Sequence, residues 1–391
     1  MKLFLLKFCR HLGYWLLAVL GTACAGFGED NTPVPAALTT YPFQFRPVLL
    51  WSVTMGGDAD KDCPRLGPVI KGDRIFVANK SGHLASVTLK EGHKRWQVDL
   101  KRSLSSEPAV EDGVIAIASM KPQLIVLKAD NGGILWQAPL PNQVLAQPAI
   151  GQGRVVVKTV DGKVLAFALK TGKALWSYDH GAPTLVLRPS SAPKIAVGKK
   201  VLVGFSDGTF SALNLDNGRL LWERTIAFPA GVAQTDQLVD IAVNPLFSRQ
   251  MVYVLTYQGE LAAMQLETGQ TRWTRPFSSY SGWVLGQNLF ISDSDGGLWA
   301  LNPLTGQVLW HNQILQNRGL TAPVISGNSI VVGDKEGYLH WFSMIDGHPL
   351  ARVLVHDGAS ITAALSVADP IVCVLTQQGK LLAWMRATMS T

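Results

Sequence analysis

Apolar residues recur along this chain in short runs that alternate with polar ones, and the runs are separated by glycine-bearing turns. A period of two places the apolar side chains on one face of an extended strand, so the pattern predicts strands rather than helices. The alternation repeats in register. Gly82, Gly162, Gly208, Gly259, Gly296, Gly337 and Gly379 each stand two residues before an apolar position, with Pro122 replacing glycine in one further copy. Those apolar positions are Leu84, Leu124, Val164, Phe210, Leu261, Leu298, Leu339 and Leu381, followed two residues later by small side chains such as Ser86, Ala166, Ala212, Ala263, Ala300 and Ala383.

A second glycine follows ten residues after the first, at Gly92, Gly132, Gly172, Gly218, Gly269, Gly306 and Gly347. Four residues beyond it stand Trp96, Trp136, Trp176, Trp222, Trp273 and Trp310, with Ala351 in the remaining copy. Asn131-Gly132, Asn217-Gly218 and Asp346-Gly347 are hairpin signals, because such turns need positive φ. Runs such as Arg154–Val157 and Ser329–Val332 precede each copy, so each unit reads as a small antiparallel sheet of about four strands. Repeats of roughly 40 residues with four strands predict a β-propeller. The recurrent tryptophans are expected to cover the seams between blades.

The eighth copy runs out at Thr391, before its own tryptophan, while Pro47-Val48-Leu49-Leu50-Trp51 carries an unpartnered one. The fold class predicted is therefore all-β, an eight-bladed β-propeller of four-stranded antiparallel blades, its last blade closed by an N-terminal strand. Such closure removes an exposed sheet edge.

Ahead of the repeats, Lys2, Lys7 and Arg10 precede an apolar stretch from Leu12 to Leu20 and small residues from Gly21 to Ala25. This is the layout of a secretory signal peptide, and the apolar stretch is short for a membrane span. Leu20-Gly21-Thr22-Ala23-Cys24 is read as a lipobox with Cys24 as the lipidated residue, and Ala23-Cys24-Ala25 also offers an ordinary export cleavage site. The expected organisation is a signal peptide over residues 1–23, a lipid-anchor tether over 24–44 and the propeller over 45–391. Pro33 and Pro35 suit an extended tether.

Loss of residues 1–23 would change the net charge from +7 to +4, with no Lys/Arg block, which gives no footing for nucleic acid. Cys63 and Cys373 remain after Cys9 and Cys24, and are expected to be separate thiols, with a Cys63–Cys373 disulfide in an oxidising compartment as the alternative. No C-x-x-C, H-E-x-x-H, G-x-S-x-G or phosphate-loop motif occurs. Asp58, Asp60 and Asp62 have the opening spacing of a calcium loop, but Cys63 and Val69 stand where its glycine and bidentate acid belong. A solvated loop is expected there. No catalytic residue, metal or cofactor is assigned.

The connections between blades are uneven. Trp96 to Pro108 and Trp136 to Pro148 each span 12 residues, whereas Trp176 to Pro193 spans 17 and Trp222 to Pro245 spans 23. Trp51 to Pro68 also spans 17. Two long loops on adjacent blades rise side by side, and loops on a rigid scaffold commonly carry binding. Leu185, Leu187 and Arg188 form an apolar anchor beside an arginine, and Asp236 and Asp240 lie in the next loop. An internal Arg188–Asp240 bond, with the leucines packed over the blade, is the structural alternative.

The segment Leu185-Val186-Leu187-Arg188-Pro189-Ser190-Ser191-Ala192-Pro193 resembles the L-x-L-R-x-x-S-A-P segment of the BamB family, and Asp236–Asp240 with Pro245 resembles its D-x-L-x-D loop. The likeness extends over the mature chain. It implies a non-enzymatic scaffold of the outer-membrane β-barrel assembly (BAM) complex, lipid-anchored at Cys24 on the periplasmic face of the outer membrane. It further implies that Leu185, Leu187, Arg188 and Asp240 bind the POTRA domains of BamA, and that unfolded outer-membrane protein precursors are held at strand edges. A second family acid is Ala242 here, and Pro189 replaces a usual glycine. The blade motif Ala300–Trp310 also resembles that of quinoprotein dehydrogenases, but those carry a vicinal cysteine pair that this chain lacks. A periplasmic quinoprotein enzyme and a general periplasmic protein-binding propeller are the competing classes.

Overall fold

The computed structural model describes residues 33–55, 66–181, 191–228, 239–257, 259–279, 281–355 and 358–387. Contacts divide the chain into Met1–Pro35 and Ala36–Thr391, and the repeats lie wholly in the second unit. They form eight four-stranded antiparallel sheets. Blades 1 to 7 occupy residues 69–99, 109–139, 149–179, 194–225, 246–277, 282–312 and 324–354. Blade 8 combines Ser366–Ala368, Ile371–Leu375 and Lys380–Ala387 with the N-terminal strand Arg46–Thr54. That strand pairs antiparallel to the last one, from Arg46 opposite Ala387 to Thr54 opposite Lys380. The first strands of blades 8 and 1 lie against each other near the axis, which closes the ring.

Alternation within each strand sends successive side chains to opposite seams. Val155 and Val157 join the cluster between blades 2 and 3, while Val156 joins that between blades 3 and 4. The core is thus split into eight apolar clusters, one per seam.

The glycine–tryptophan repeat is a seam device. Each indole reaches into the following blade and donates its Nε1–H to a carbonyl there, as Trp176 does to Leu215 at 2.8 Å. Trp51, Trp96, Trp136, Trp222, Trp273 and Trp310 repeat the arrangement. The ring then lies flat on the next blade's turn glycine. A Cβ on Gly218, whose φ is +72°, would stand 2.6 Å from the Trp176 ring. Glycine serves both the turn and the close approach.

Blade 7 has Ala351 in place of tryptophan, and its seam with blade 8 is filled differently. Phe45, 1% exposed, enters from just ahead of the N-terminal strand and meets Trp341 edge-on at 6.0 Å. Residues 24–32 of the expected tether lie outside the described residues, and residues 36–44 lie against blade 7. Ala36 donates its N–H to the Gln316 carbonyl at 2.9 Å, and its own carbonyl accepts from Arg318 at 3.0 Å. Arg352 donates to the Thr39 carbonyl at 3.2 Å, and Gln44 donates its N–H to Leu350 at 2.9 Å. These bonds satisfy backbone groups that an extended segment leaves open.

Cys24, the Asp58–Asp62 stretch and Cys63 lie outside the described residues. Cys373 is a free, buried thiol, and burial pushes its pKa up to about 12.

Candidate functional site

One face of the ring carries the connections between blades together with the hairpins joining the second and third strands of each blade. Both long connections begin and end on this face around blade 4. Residues 182–190 and 229–238 within them lie outside the described residues, and with them Leu185, Leu187, Arg188 and Asp236. The roots of both connections are described and are joined. Ala192, past the first connection, donates its N–H to the Asn244 side-chain oxygen at 2.6 Å, and Asn244 ends the second. Ile241 donates its N–H to the carbonyl of Phe205 in blade 4 at 3.2 Å.

Comparing blades in register shows where this corner departs from the repeat. Asn79, Ser119, Thr159, Thr256, Asp293, Asp334 and Thr376 occupy the position opening each hairpin, whereas blade 4 has Phe205. Such polar residues cap the turn, as when Asp334 accepts from the Tyr338 N–H at 2.8 Å. Phe205 instead stacks on His180 at 3.8 Å with the rings 13° apart. His180 is itself an exception. Met55, Leu100, Leu140, Ile226 and Val355 make the same backbone bond at the ends of their blades, and each is apolar.

His180 Nε2 lies 2.8 Å from Asp207 Oδ2, and Nδ1 lies 3.7 Å from Glu223. The Asp207 bond is the main cause of a raised His180 pKa, with burial opposing it. Burial presses Asp207 upward, but the His180 bond and the Thr209 N–H outweigh it and hold the carboxyl at about 2. Glu223 also accepts from Ser211 at 2.7 Å. Beneath this group Lys158, 5% exposed, donates to the Gly204 carbonyl at 2.5 Å. Desolvation lowers its pKa to about 8 against the opposing pull of Asp240.

Asp240, read from the sequence as an acid facing a partner, is only 3% exposed, and its charge acts inward on Lys158. Ala242, where the family has a second acid, is 7% exposed and sits among Val239, Ile241 and Val243, all buried. The sequence reading missed His180, Phe205 and Lys158. Their signal was a break in the blade register, at positions that look unremarkable one by one.

The His180–Asp207 pair makes stability depend on pH. The histidine, with its folded pKa raised, contributes fully below its unfolded value of about 6.5 and loses that contribution as pH rises through the folded value. The aspartate, depressed to about 2, contributes above its unfolded value and loses it on acidification. Asp207→Asn is therefore expected to cost more near pH 5.5 than at pH 8.5. Asp207 is half-open to solvent, which screens the pair, so the difference is about 1 kcal/mol. Urea unfolding of both proteins at both pH values measures it.

A family model described as outer membrane protein assembly factor BamB matches residues 80–312 and 283–391. The chain belongs to the BamB family. A relative from Legionella pneumophila (strain Paris), named outer membrane protein assembly factor BamB, is 48% identical over 356 residues, covering 90% of this chain and 92% of the relative. The crystal structure of BamB from Moraxella catarrhalis superposes with a TM-score of 0.78 at 26% identity, covering 87% of this chain and all of that one. A quinohemoprotein alcohol dehydrogenase from Comamonas testosteroni reaches a TM-score of 0.70 at 11% identity, covering 88% of this chain and 78% of its own, a likeness of fold alone. In this BamB-family chain no group of three or more His, Cys, Asp or Glu among the described residues is placed to hold a metal ion. No helix among them is long and apolar enough to cross a membrane.

Proposed function

We propose that this chain is a non-enzymatic scaffold of the outer-membrane β-barrel assembly machine, docking the POTRA domains of BamA through the two long connections around blade 4. A lipid on Cys24 holds it at the periplasmic face of the outer membrane. The relatives' name supports the assembly role. The observation that carries the docking reading is the joining of the two loop roots, through Ala192 and Asn244, over a corner that breaks the blade pattern. Leu185, Leu187 and Arg188 supply the contact from the first loop. Asp240 works from beneath, where its charge sustains Lys158.

A second contact, strand addition by unfolded barrel precursors, is favoured by the outer edge of blade 8. Val48, Leu49 and Leu50 are 43%, 42% and 36% exposed there, on a strand paired along one side only.

Leu187→Ala combined with Arg188→Ala is expected to weaken binding to purified POTRA domains at least tenfold, because apolar and arginine anchors dominate such contacts. The unfolding midpoint of the propeller is expected to stay where it was. Co-purification of BamA with the double variant at the wild-type level would overturn the docking reading.

A further inference from the structure

We propose that Lys158 is the positioning residue of the docking face, its ammonium tying the roots of both long connections to blade 4. This rests on the docking reading above. Lys158 ends the second strand of blade 3, four residues before the hairpin glycine. The other seven blades have Ala78, Ala118, Gly204, Leu255, Ser292, Gly333 and Leu375 at that position, all small or apolar. A lysine there carries a charge into a seam that packs without one elsewhere, and a buried charge is costly unless its partners are arranged for it.

Its partners come from each element that the docking face must hold in register. The ammonium donates to the Gly204 carbonyl of blade 4 at 2.5 Å and lies 3.5 Å from Ser191 Oγ at the end of the first connection. It stands 5.9 Å above the Phe205 ring. The carboxylate of Asp240, in the second connection, draws on its charge. Blade 6 shows a short form of the same device. Ser292, in register with Lys158, donates to the carbonyl of Thr321 in the next connection at 2.9 Å. The connection into blade 4 is longer than the one into blade 7, and the side chain that reaches it is longer too. Among the described residues, the charged groups that interact with Lys158 are Asp240 and His180, and the histidine is itself paired with Asp207 and Glu223.

The test uses the full-length mature protein and purified POTRA domains, with affinity measured from about pH 6 to pH 9. Lys158→Met fills the same space without the charge. It is expected to bind at least tenfold more weakly at pH 7, with an unfolding midpoint no lower than wild type. Wild-type affinity is expected to fall as pH rises through about 8, where Lys158 loses its proton, and the variant's profile is expected to lack that step. Wild-type affinity in Lys158→Met, or the same step in both proteins, would overturn the proposal. If Lys158→Met does not fold, a flat wild-type profile overturns it and a step near pH 8 sustains it. The Leu187→Ala/Arg188→Ala protein separates the two readings. Loss of binding there with none in Lys158→Met sinks only the role of Lys158, whereas binding by both variants sinks the docking reading itself.

Discussion

Phe45→Ala is expected to destabilise the propeller by about 3–5 kcal/mol, the usual cost of truncating a buried phenylalanine in a packed core. Phe45 is 1% exposed and packs between two blades at once. It meets Trp341 of blade 7 edge-on at 6.0 Å, shares a cluster with Trp384 of blade 8, and lies beneath the Arg386 guanidinium at 4.5 Å. Elsewhere a tryptophan from the preceding blade seals the seam. Here Ala351 leaves that space to a residue from the far end of the chain. The outer strand of blade 7 offers only the Ala351 methyl group toward that space. Phe45 also directly precedes the strand that closes blade 8, so the same truncation loosens ring closure. Urea unfolding followed by tryptophan fluorescence measures the loss. A cost below about 1 kcal/mol would show that the seam does not depend on this ring.

Asp334→Ala is expected to cost a similar amount, about 3–5 kcal/mol, for an electrostatic reason. Asp334 is fully buried and accepts from Arg318 Nε at 2.7 Å and from His340 Nε2 at 2.9 Å. Its other oxygen caps the hairpin through the N–H groups of Glu336 and Tyr338 at 3.0 and 2.8 Å. Burial pushes the carboxyl pKa up, but His340 and Arg318 outweigh it, so the group stays below its ordinary range and remains charged. Removing it leaves the Arg318 side chain, 2% exposed, with the half-exposed Glu336 carboxylate at 2.7 Å as its remaining counter-charge. The damage extends to the N-terminal segment. Arg318 holds the Ala36 carbonyl and lies 5.5 Å over Tyr338, whose ring also packs under Arg352, and Arg352 in turn covers Tyr41. Faster proteolysis within residues 36–44 is the expected companion of the lost stability. Replacing both charges, Arg318→Met with Asp334→Leu, is expected to recover most of it, since a buried pair exchanged for apolar groups is often neutral. A double variant as unstable as Asp334→Ala would mean that the turn cap, not the buried arginine, sets the cost.

The two substitutions also show how far a linear reading reaches. Period-two alternation, turn glycines and tryptophans at constant spacing disclosed blades, their number and the strand exchange between the termini. These features follow from backbone sterics and side-chain direction between near neighbours, which a short stretch of residues carries by itself. The same reading marked Ala351 as an exception but had no means of naming Phe45 as its replacement, because their proximity exists only once the ring is closed. It found the long connections by counting, and a family resemblance supplied Leu185, Leu187, Arg188 and Asp240 as a set. The fold then turned Asp240 inward, at 3% exposure, and revealed Lys158, Phe205 and His180 as its companions. Each of those three breaks the register of its own blade, and each break alone resembles ordinary drift between repeats. What makes them a site is that blade-to-blade packing brings residues 158, 180, 205 and 240 to one corner, and that packing is settled by which apolar faces bury each other. The residues by themselves determined the blades and their closure. Only the tertiary structure decided which exceptions meet.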